Sequence, residues 1–484
     1  MSVTPTDSTY RRAAAPAVAL AATSVAIAIV VCSAIIAVAN PPGVWRTLAL
    51  LWAIAIAGVM LIFRSAARTN DARVLNLSHV WALKLVAGLA VLYFGWVPEL
   101  DLSSVNYGYD PQRFYFQAND LQEAGYNTAA IPSINYTGVL YVYGAVFQTF
   151  GHNAFAPALI NALVALWCIL AAIRFLHAIP RTGRASYWLV GLTLLIPEMI
   201  WFDDLVSRET LSAALTTVGI LGCTSYLLPR QTVRRLALVS FKAAIPSLLI
   251  LGILRMSVLA ASLVAIGFIY FAHRMTFRQR AVAVLVLLVM MAALAAAPAI
   301  ISRLGGYDFN IKTFNPARRA KTAMEDPAFQ WAQGSIGRRL IGDTMTKLVI
   351  FTPPRMVLYL ILPLPRVDAP LDNLATGRWL AWQNLLTALS AAIYVILIPF
   401  VLALGIDVLR KRAPPGASIV FLAFGVIFTL IVAGNQILHE RYRIMSIPLL
   451  VACAVLGRNS SRFARRAGTA IWICTIAAGV AAYL

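Results

Sequence analysis

Ionisable side chains occur at few places in the apolar parts of this chain, and they combine carboxylates with guanidinium groups. They fall in the stretches YDPQRFYFQANDL, SRETL, ILRMSVL and HERYR. A carboxylate can accept a proton from a hydroxyl group, and guanidinium groups can hold a phosphate by paired hydrogen bonds. These residue types suit a reaction in which a hydroxyl group attacks and a phosphate departs. The candidate residues are Asp110, Arg208, Glu209, Arg255, Arg441 and Arg443.

The rest of the chain has the composition of a membrane protein. Its 484 residues are 60% hydrophobic and only 12% charged, with a mean hydropathy of +0.78, whereas soluble domains are about a quarter charged. Apolar runs have the length that a helix needs to cross a bilayer, so we predict an all-α, polytopic integral membrane protein with about 13 transmembrane helices. The predicted spans are 17–39, 44–63, 78–97, 154–178, 186–202, 208–228, 240–254, 256–272, 281–301, 378–406, 416–434, 444–457 and 469–484.

The positive charges indicate the orientation of these spans. With the N-terminus in the cytoplasm, each short cytoplasmic connection carries Lys or Arg, as the positive-inside rule requires. The net charge of +21 therefore reflects topology, and we predict a lipid bilayer and no nucleic acid as a partner. The first apolar run is too long for a typical cleaved signal. The Ala- and Arg-rich composition favours a bacterial inner (cytoplasmic) membrane.

The same alternation places the candidate residues on the extracytoplasmic side. The segment 302–355, also on that side, carries nine Lys or Arg, among them Arg318 and Arg319, against four acids. This excess would attract anionic lipid-linked substrates. The predicted divisions are N-terminal transmembrane helices 1–97, a first large extracytoplasmic loop 98–153, a central bundle 154–301, a basic extracytoplasmic loop with a re-entrant piece 302–377, and C-terminal transmembrane helices 378–484.

Several motifs follow one another in a recognisable order. Asp110, Phe114 and Ala118 have the spacing D-x3-aromatic-x3-A, and they are followed by SRETL, YLILPLPRVDAPLDNL and RYRIMSIPLL. Together these stretches resemble the motifs of the GT-C glycosyltransferases, a superfamily that includes protein O-mannosyltransferases and the lipid A aminoarabinose transferase. The resemblance implies a GT-C-like fold with helices in the extracytoplasmic loops.

The resemblance also implies an activity. It implies inverting transfer of a sugar from a polyprenyl-phosphate-linked donor to a glycan or lipid acceptor, with an active site at the extracytoplasmic face. Asp110 would be the catalytic base. No metal site or cofactor is implied, although two acids could share a divalent cation. The predicted substrate-binding residues are Arg208, Glu209, Arg255, Arg441, Arg443, Arg318 and Arg319.

Other interpretations of the same features remain open. Asp110 and Pro111 also suit the N-cap and first position of a helix, and Arg255 also suits the charged tip of a helical hairpin. Arg441 and Arg443 also suit side chains that reach lipid headgroups.

Two other functions also remain open. A polysaccharide polymerase would join polyprenyl-diphosphate-linked repeat units at the same face, and the basic segment 302–355 suits it. A transporter or flippase of lipid-linked glycans would need polar groups along a path near the middle of the membrane.

Overall fold

The structure is a computed structural model that describes residues 7–96, 110–127, 137–179, 187–204, 207–228, 243–303, 344–361, 379–434 and 440–483. Every regular element in these ranges is helical, which confirms the all-α class for the described part of the chain. The α-helices are α1 (Asp7–Ala39), α2 (Val44–Thr69), α3 (Leu77–Val91), α4 (Asp110–Glu123), α5 (Thr137–Phe150), α6 (Phe155–His177), α7 (Pro197–Asp204), α8 (Glu209–Thr224), α9 (Ile245–Ala272), α10 (Phe277–Arg303), α11 (Met345–Ile361), α12 (Trp379–Leu409), α13 (Pro415–Gly434), α14 (Ile447–Gly457) and α15 (Arg462–Tyr483). Short 3₁₀ or π-helical segments are Ala72–Asn76, Leu92–Trp96, Tyr187–Leu195, Ser225–Leu227 and Glu440–Ser446.

Many of these helices have the length and composition needed to cross a membrane. Among the described residues, eight helical stretches of 19–28 residues meet both requirements. Seven of them coincide with one predicted span each, and the eighth, Ile245–Ala272, covers the two predicted spans 240–254 and 256–272. Together they confirm a polytopic α-helical membrane protein. These stretches are Pro16–Ala39, Val44–Thr69, Ala72–Gly95, Phe155–His177, Glu209–Leu227, Ile245–Ala272, Leu385–Leu409 and Pro415–Gly434.

Helix α2 shows how such a helix divides its surface between protein and lipid. Trp52, Ile56 and Met60 are each more than half exposed, whereas Leu51 and Ala55 are fully buried. Residues four apart share one face of a helix, so the exposed face is an apolar stripe. A stripe of this kind is stable against lipid rather than water.

Helix α9 reverses direction at Arg255, so its two halves lie side by side. The backbone of Arg255 is extended, with φ −160° and ψ 82°, between helical neighbours. A straight helix rises 1.5 Å per residue and would separate Ala244 from Tyr270 by about 39 Å. Instead both residues meet the same end of α8. Ala244 packs against Gly222, and the hydroxyl group of Tyr270 donates a hydrogen bond to the carbonyl oxygen of Cys223 at 2.8 Å.

The tip of this hairpin lies beside the start of α5. Leu259 packs against Gly252 across the reversal, and the backbone of Ile253 packs against Gly138 in the first turn of α5. Glycine leaves no side chain between the two elements, so their backbones can approach closely. By length and composition alone, α9 could cross the membrane once. The contacts of its two halves show instead that the chain reverses at Arg255. The sequence predicted the boundary between two crossings at this residue.

Asn153 fastens the loops at the end of the bundle where α2 and α6 begin. Its side-chain amide donates hydrogen bonds to the carbonyl oxygen of Pro42 at 3.0 Å and to the hydroxyl oxygen of Thr47 at 3.2 Å. Its side-chain oxygen accepts from the backbone N–H of Ala156 at 3.0 Å, which caps α6. Gly151, with φ +90°, lies against the Pro42 backbone and leaves no room there for a Cβ atom. The α5–α6 connection is therefore fixed to the α1–α2 turn.

Candidate functional site

A buried carboxylate at the start of α7 is the centre of a polar cluster. Arg443 Nε donates hydrogen bonds to Glu198 at 2.8 Å (Oε2) and 3.1 Å (Oε1). The Tyr394 hydroxyl donates to Glu198 Oε2 at 2.8 Å. The backbone N–H of Glu198 donates to Ser390 Oγ at 2.8 Å. We call these four residues, all of them buried, the Glu198 cluster.

The local sequence explains how three elements bring these side chains together. Glu198 follows Pro197, the first residue of α7, and a negative charge in the first turn of a helix is favoured by the helix dipole. Ser390 and Tyr394 are four residues apart on α12, so they share one face. Arg443 lies in the 3₁₀ segment Glu440–Ser446, immediately before α14.

Arg443 makes further contacts inside the protein. Its Nη1 donates to the carbonyl oxygen of Tyr359 at 2.6 Å, and its guanidinium carbon lies 5.0 Å from the centre of the Tyr394 ring. The side chain is only 1% exposed. Burial removes the hydration of both charges in an ion pair, and additional hydrogen bonds are needed to offset that loss. The contacts of Arg443 provide them, and they direct its guanidinium group into the core.

A second buried ion pair joins the tip of the α9 hairpin to the start of α8. Arg255 Nη1 lies 3.4 Å from Glu209 Oε1, and the two residues are 8% and 4% exposed. Glu209 is in the first turn of α8, and Arg208 is its N-cap residue. The helix dipole therefore favours the negative charge of Glu209.

Helix α5 links the start of α8 to its neighbours. The buried hydroxyl group of Tyr143 lies 2.5 Å from the carbonyl oxygen of Ser207 and 3.1 Å from Asn161 Oδ1 on α6. Helix α4 packs on α5, where Gly144 lies against the carbonyl oxygen of Ala118. This series of contacts connects α4 to the Glu209–Arg255 pair.

The spacing D-x3-aromatic-x3-A is the spacing of one face of α4. Phe114 and Ala118 are both buried, and Asp110 is four residues before Phe114, at the first position of the helix. The structure describes the backbone of Asp110, and its side chain lies outside the described part. The sequence also suited Asp110 as an N-cap and Pro111 as the first residue of a helix. A helix does start here, but its first residue is Asp110 and its second is Pro111.

Two further basic side chains are buried near the Glu198 cluster. Lys84 Nζ donates a hydrogen bond to the carbonyl oxygen of Met199 at 3.4 Å, and Met199 is the residue after Glu198. Arg355 is 1% exposed and lies one turn before Tyr359 on α11. We expected Arg355 in the basic extracytoplasmic loop, but the structure places it inside a helix that begins at Met345.

The structure brings several predicted site residues onto neighbouring elements. The segment Glu440–Ser446 packs along α8, and α7 also packs against α8, so both ion pairs adjoin the same helix. The predicted residues found on these elements are Arg208, Glu209, Arg255 and Arg443. Those outside the described residues are Arg318 and Arg319, together with the side chains of Asp110 and Arg441.

Glu198, Ser390 and Tyr394 were not among the site residues predicted from the sequence. Glu198 lies in the apolar run 186–202, and a charge within a membrane span requires a partner. The position of this charge in an apolar run was therefore the sequence feature that could have identified Glu198. No sequence feature identified Ser390 or Tyr394, because hydroxyl groups are common on transmembrane helices.

Burial changes the pKa of two groups, one on α4 and one in the α5–α6 connection beside it. Partial burial of its carboxyl group raises the pKa of Asp120 on α4 above its usual 3.8, and the nearby charge of Glu123 adds to the increase. His152 stacks on Tyr115 with ring centres 4.1 Å apart, and burial lowers its pKa below 6.5. His152 is therefore neutral at pH 7.

The fold and the ion pairs define a polytopic all-α membrane protein with buried charges between its helices. Among the described residues, no three His, Cys, Asp or Glu side chains come together as metal ligands would. Comparison of the chain with family models, curated proteins and solved structures gives no match.

Proposed function

We propose that the protein is an inverting membrane glycosyltransferase that uses a polyprenyl-phosphate-linked sugar and a glycan or lipid acceptor. One observation carries the proposal: the helix that begins at Asp110, the Glu209–Arg255 pair and the segment Glu440–Ser446 are connected through α5 and α8. This arrangement joins an acidic helix start to basic groups, as attack by a hydroxyl group and departure of a phosphate require. The GT-C resemblance supports the same reaction.

The proposed setting is a bacterial inner membrane crossed about 13 times, because the basic connections follow the positive-inside rule. The N-terminus is cytoplasmic and the site is extracytoplasmic. In this orientation the hairpin tip at Arg255 and the start of α8 at Glu209 are on the extracytoplasmic side, where a lipid-linked donor would present its sugar.

The proposed reaction is a single displacement. The carboxylate of Asp110 takes the proton of the acceptor hydroxyl group, and the oxygen attacks the anomeric carbon of the donor sugar from the opposite side. The bond between that carbon and the phosphate oxygen breaks, and polyprenyl phosphate departs with the electron pair. Arg208, Arg255 and Arg441 neutralise the departing phosphate. Positioning and charge stabilisation supply most of the rate.

Other charged residues have supporting roles in this proposal. Glu209 orients Arg255, while Arg318 and Arg319 attract the anionic donor. The contacts of Arg443 support a positioning role, because its guanidinium group is enclosed by Glu198, Tyr394 and the carbonyl oxygen of Tyr359. Arg443 then fixes the segment that carries Arg441, two residues earlier.

The second candidate is a polymerase that joins polyprenyl-diphosphate-linked repeat units. The nine Lys or Arg in 302–355 favour it, because a diphosphate-linked glycan carries more negative charge than a monophosphate donor. Both candidates require the same sidedness, so their products separate them.

The test is product analysis with the purified protein in liposomes and extracted polyprenyl-linked glycans. We compare the wild type with Asp110→Asn and with Asp120→Asn, which changes an exposed acid on the same helix. A single added sugar that is lost only in Asp110→Asn supports the transferase. A ladder of products supports the polymerase, and transfer of the lipid between leaflets without a new glycosidic bond supports a flippase. Full activity in Asp110→Asn removes Asp110 as the base.

A further inference from the structure

A cavity of about 640 Å³ opens between α2, α6, α8 and the start of α9. It lies toward the end of the bundle where α2 and α6 finish, away from the hairpin tip at Arg255. Its lining combines three guanidinium groups with an apolar wall. The lining residues that matter here are Arg64, Arg68, Arg174, Leu61, Trp167 and Ile250.

The charged residues that line the cavity are all positive. Arg64 and Arg68 are four residues apart on α2, so their like charges repel on one helix face. Arg174 adds a third positive charge from α6, and its Nε donates to the carbonyl oxygen of Leu170 at 3.1 Å, which fixes the side chain at the cavity wall. No described residue of the lining is acidic. Three converging guanidinium groups favour an anion, above all one with phosphate oxygens.

The apolar wall narrows the choice of anion. Leu61, Trp167 and Ile250 extend beside the guanidinium groups, and the cavity volume is in the range of small-molecule sites. A ligand with a negative head and a hydrocarbon chain would contact both parts of the lining. A free phosphate ion would leave the apolar part in contact with water.

We propose that this cavity binds an anionic phospholipid, with its phosphate among Arg64, Arg68 and Arg174 and a hydrocarbon chain along Trp167. In the proposed orientation the lipid comes from the cytoplasmic leaflet, whose anionic headgroups attract basic residues. The inference is independent of the proposed sugar transfer, because the cavity and the Asp110 helix belong to different parts of the bundle.

The test is native mass spectrometry of the full-length protein in detergent, titrated with phosphatidylglycerol or phosphatidylcholine of the same chain length. We expect wild-type protein to prefer phosphatidylglycerol. The double variant Arg64→Gln with Arg68→Gln should bind phosphatidylglycerol roughly 30-fold more weakly. This estimate assumes that each of the two arginines makes the usual contribution of a basic residue near an anionic surface. The corresponding double Lys variant should retain most of the binding, and Arg278→Gln, an exposed change outside the lining, should bind as the wild type does.

Three outcomes would overturn the proposal. Equal binding of the two lipids by the wild type would show that the cavity does not select an anionic headgroup. This comparison uses only the wild-type protein, so it does not depend on the folding of a variant. Unchanged phosphatidylglycerol binding in the double Gln variant would remove the arginines from the site. Displacement of the lipid by inorganic phosphate at equal concentration would identify a site for a soluble anion.

Discussion

Replacing Glu198 by glutamine removes the negative charge that faces Arg443 in the core. The amide keeps the shape of the side chain, but Arg443, which is 1% exposed, loses the carboxylate that its Nε contacts at 2.8 and 3.1 Å. Removal of one partner from a buried ion pair costs about 3–5 kcal/mol. We expect a decrease of this size in the free energy of unfolding, because the carboxylate also accepts the Tyr394 hydroxyl.

Asp71 and Arg73 form a control ion pair with a similar distance between nitrogen and oxygen but with greater exposure to solvent. Arg73 Nε lies 2.9 Å from Asp71 Oδ1, and the Arg73 side chain is 46% exposed. Exposed pairs contribute about 0.2–1 kcal/mol, so Arg73→Gln should have little effect. Since the two pairs have nearly equal distances and each change replaces the arginine, the difference between Arg443→Gln and Arg73→Gln measures the effect of burial.

The assay is the temperature at which half of the purified protein in detergent stays monodisperse after heating. Glu198→Gln and Arg443→Gln should each lower this temperature much more than Arg73→Gln. The double variant should lose less than the sum of the two single variants, because the second change removes a charge that the first left without its partner. Equal losses in Glu198→Gln and Arg73→Gln, or strictly additive losses in the double variant, would refute the reasoning.

Three further predictions use the same assay. Tyr394→Phe removes a hydrogen bond to a charged oxygen and should cost about 1.5–3 kcal/mol; an unchanged midpoint would contradict the assigned bond. His152→Gln should flatten the loss of stability that the wild type shows as the pH falls below 6.5. The folded form has the lower His152 pKa, so the unfolded form binds more protons there, and identical pH profiles would contradict this. Gly222→Val should separate α8 from α9 and cost about 1–3 kcal/mol, whereas Gly425→Val, where nothing lies within 4 Å of an added Cβ, should cost less; equal losses would contradict the packing.

The membrane helices were predictable because the bilayer imposes a length on every apolar run. The interruption at Arg255 was also predictable, because Arg255 is the single charged residue between Lys242 and His273 and divides that long apolar run into two pieces. The start of α4 followed from Asp110 and Pro111, whose conformational preferences suit a helix terminus. In each case the signal was local in sequence.

The Glu198 cluster was not predictable, because it depends on how distant helices pack. Glu198 and Arg443 are separated by 245 positions in the chain, and nothing in either neighbourhood identifies the other residue. Arg355 shows the same limit at shorter range. Its basic neighbours suggested a loop, but packing against the bundle gave a buried helix instead.

The reversal at Arg255 has a consequence for how the protein is made. Glu209 leaves the ribosome 46 residues before Arg255, which at roughly 5–20 residues per second is an interval of roughly 2–9 seconds. During that interval the carboxylate at the start of α8 lacks the guanidinium group that later faces it. The helices of this region therefore cannot reach their final arrangement one at a time, and α8 and the following hairpin must be completed as a single unit of membrane integration.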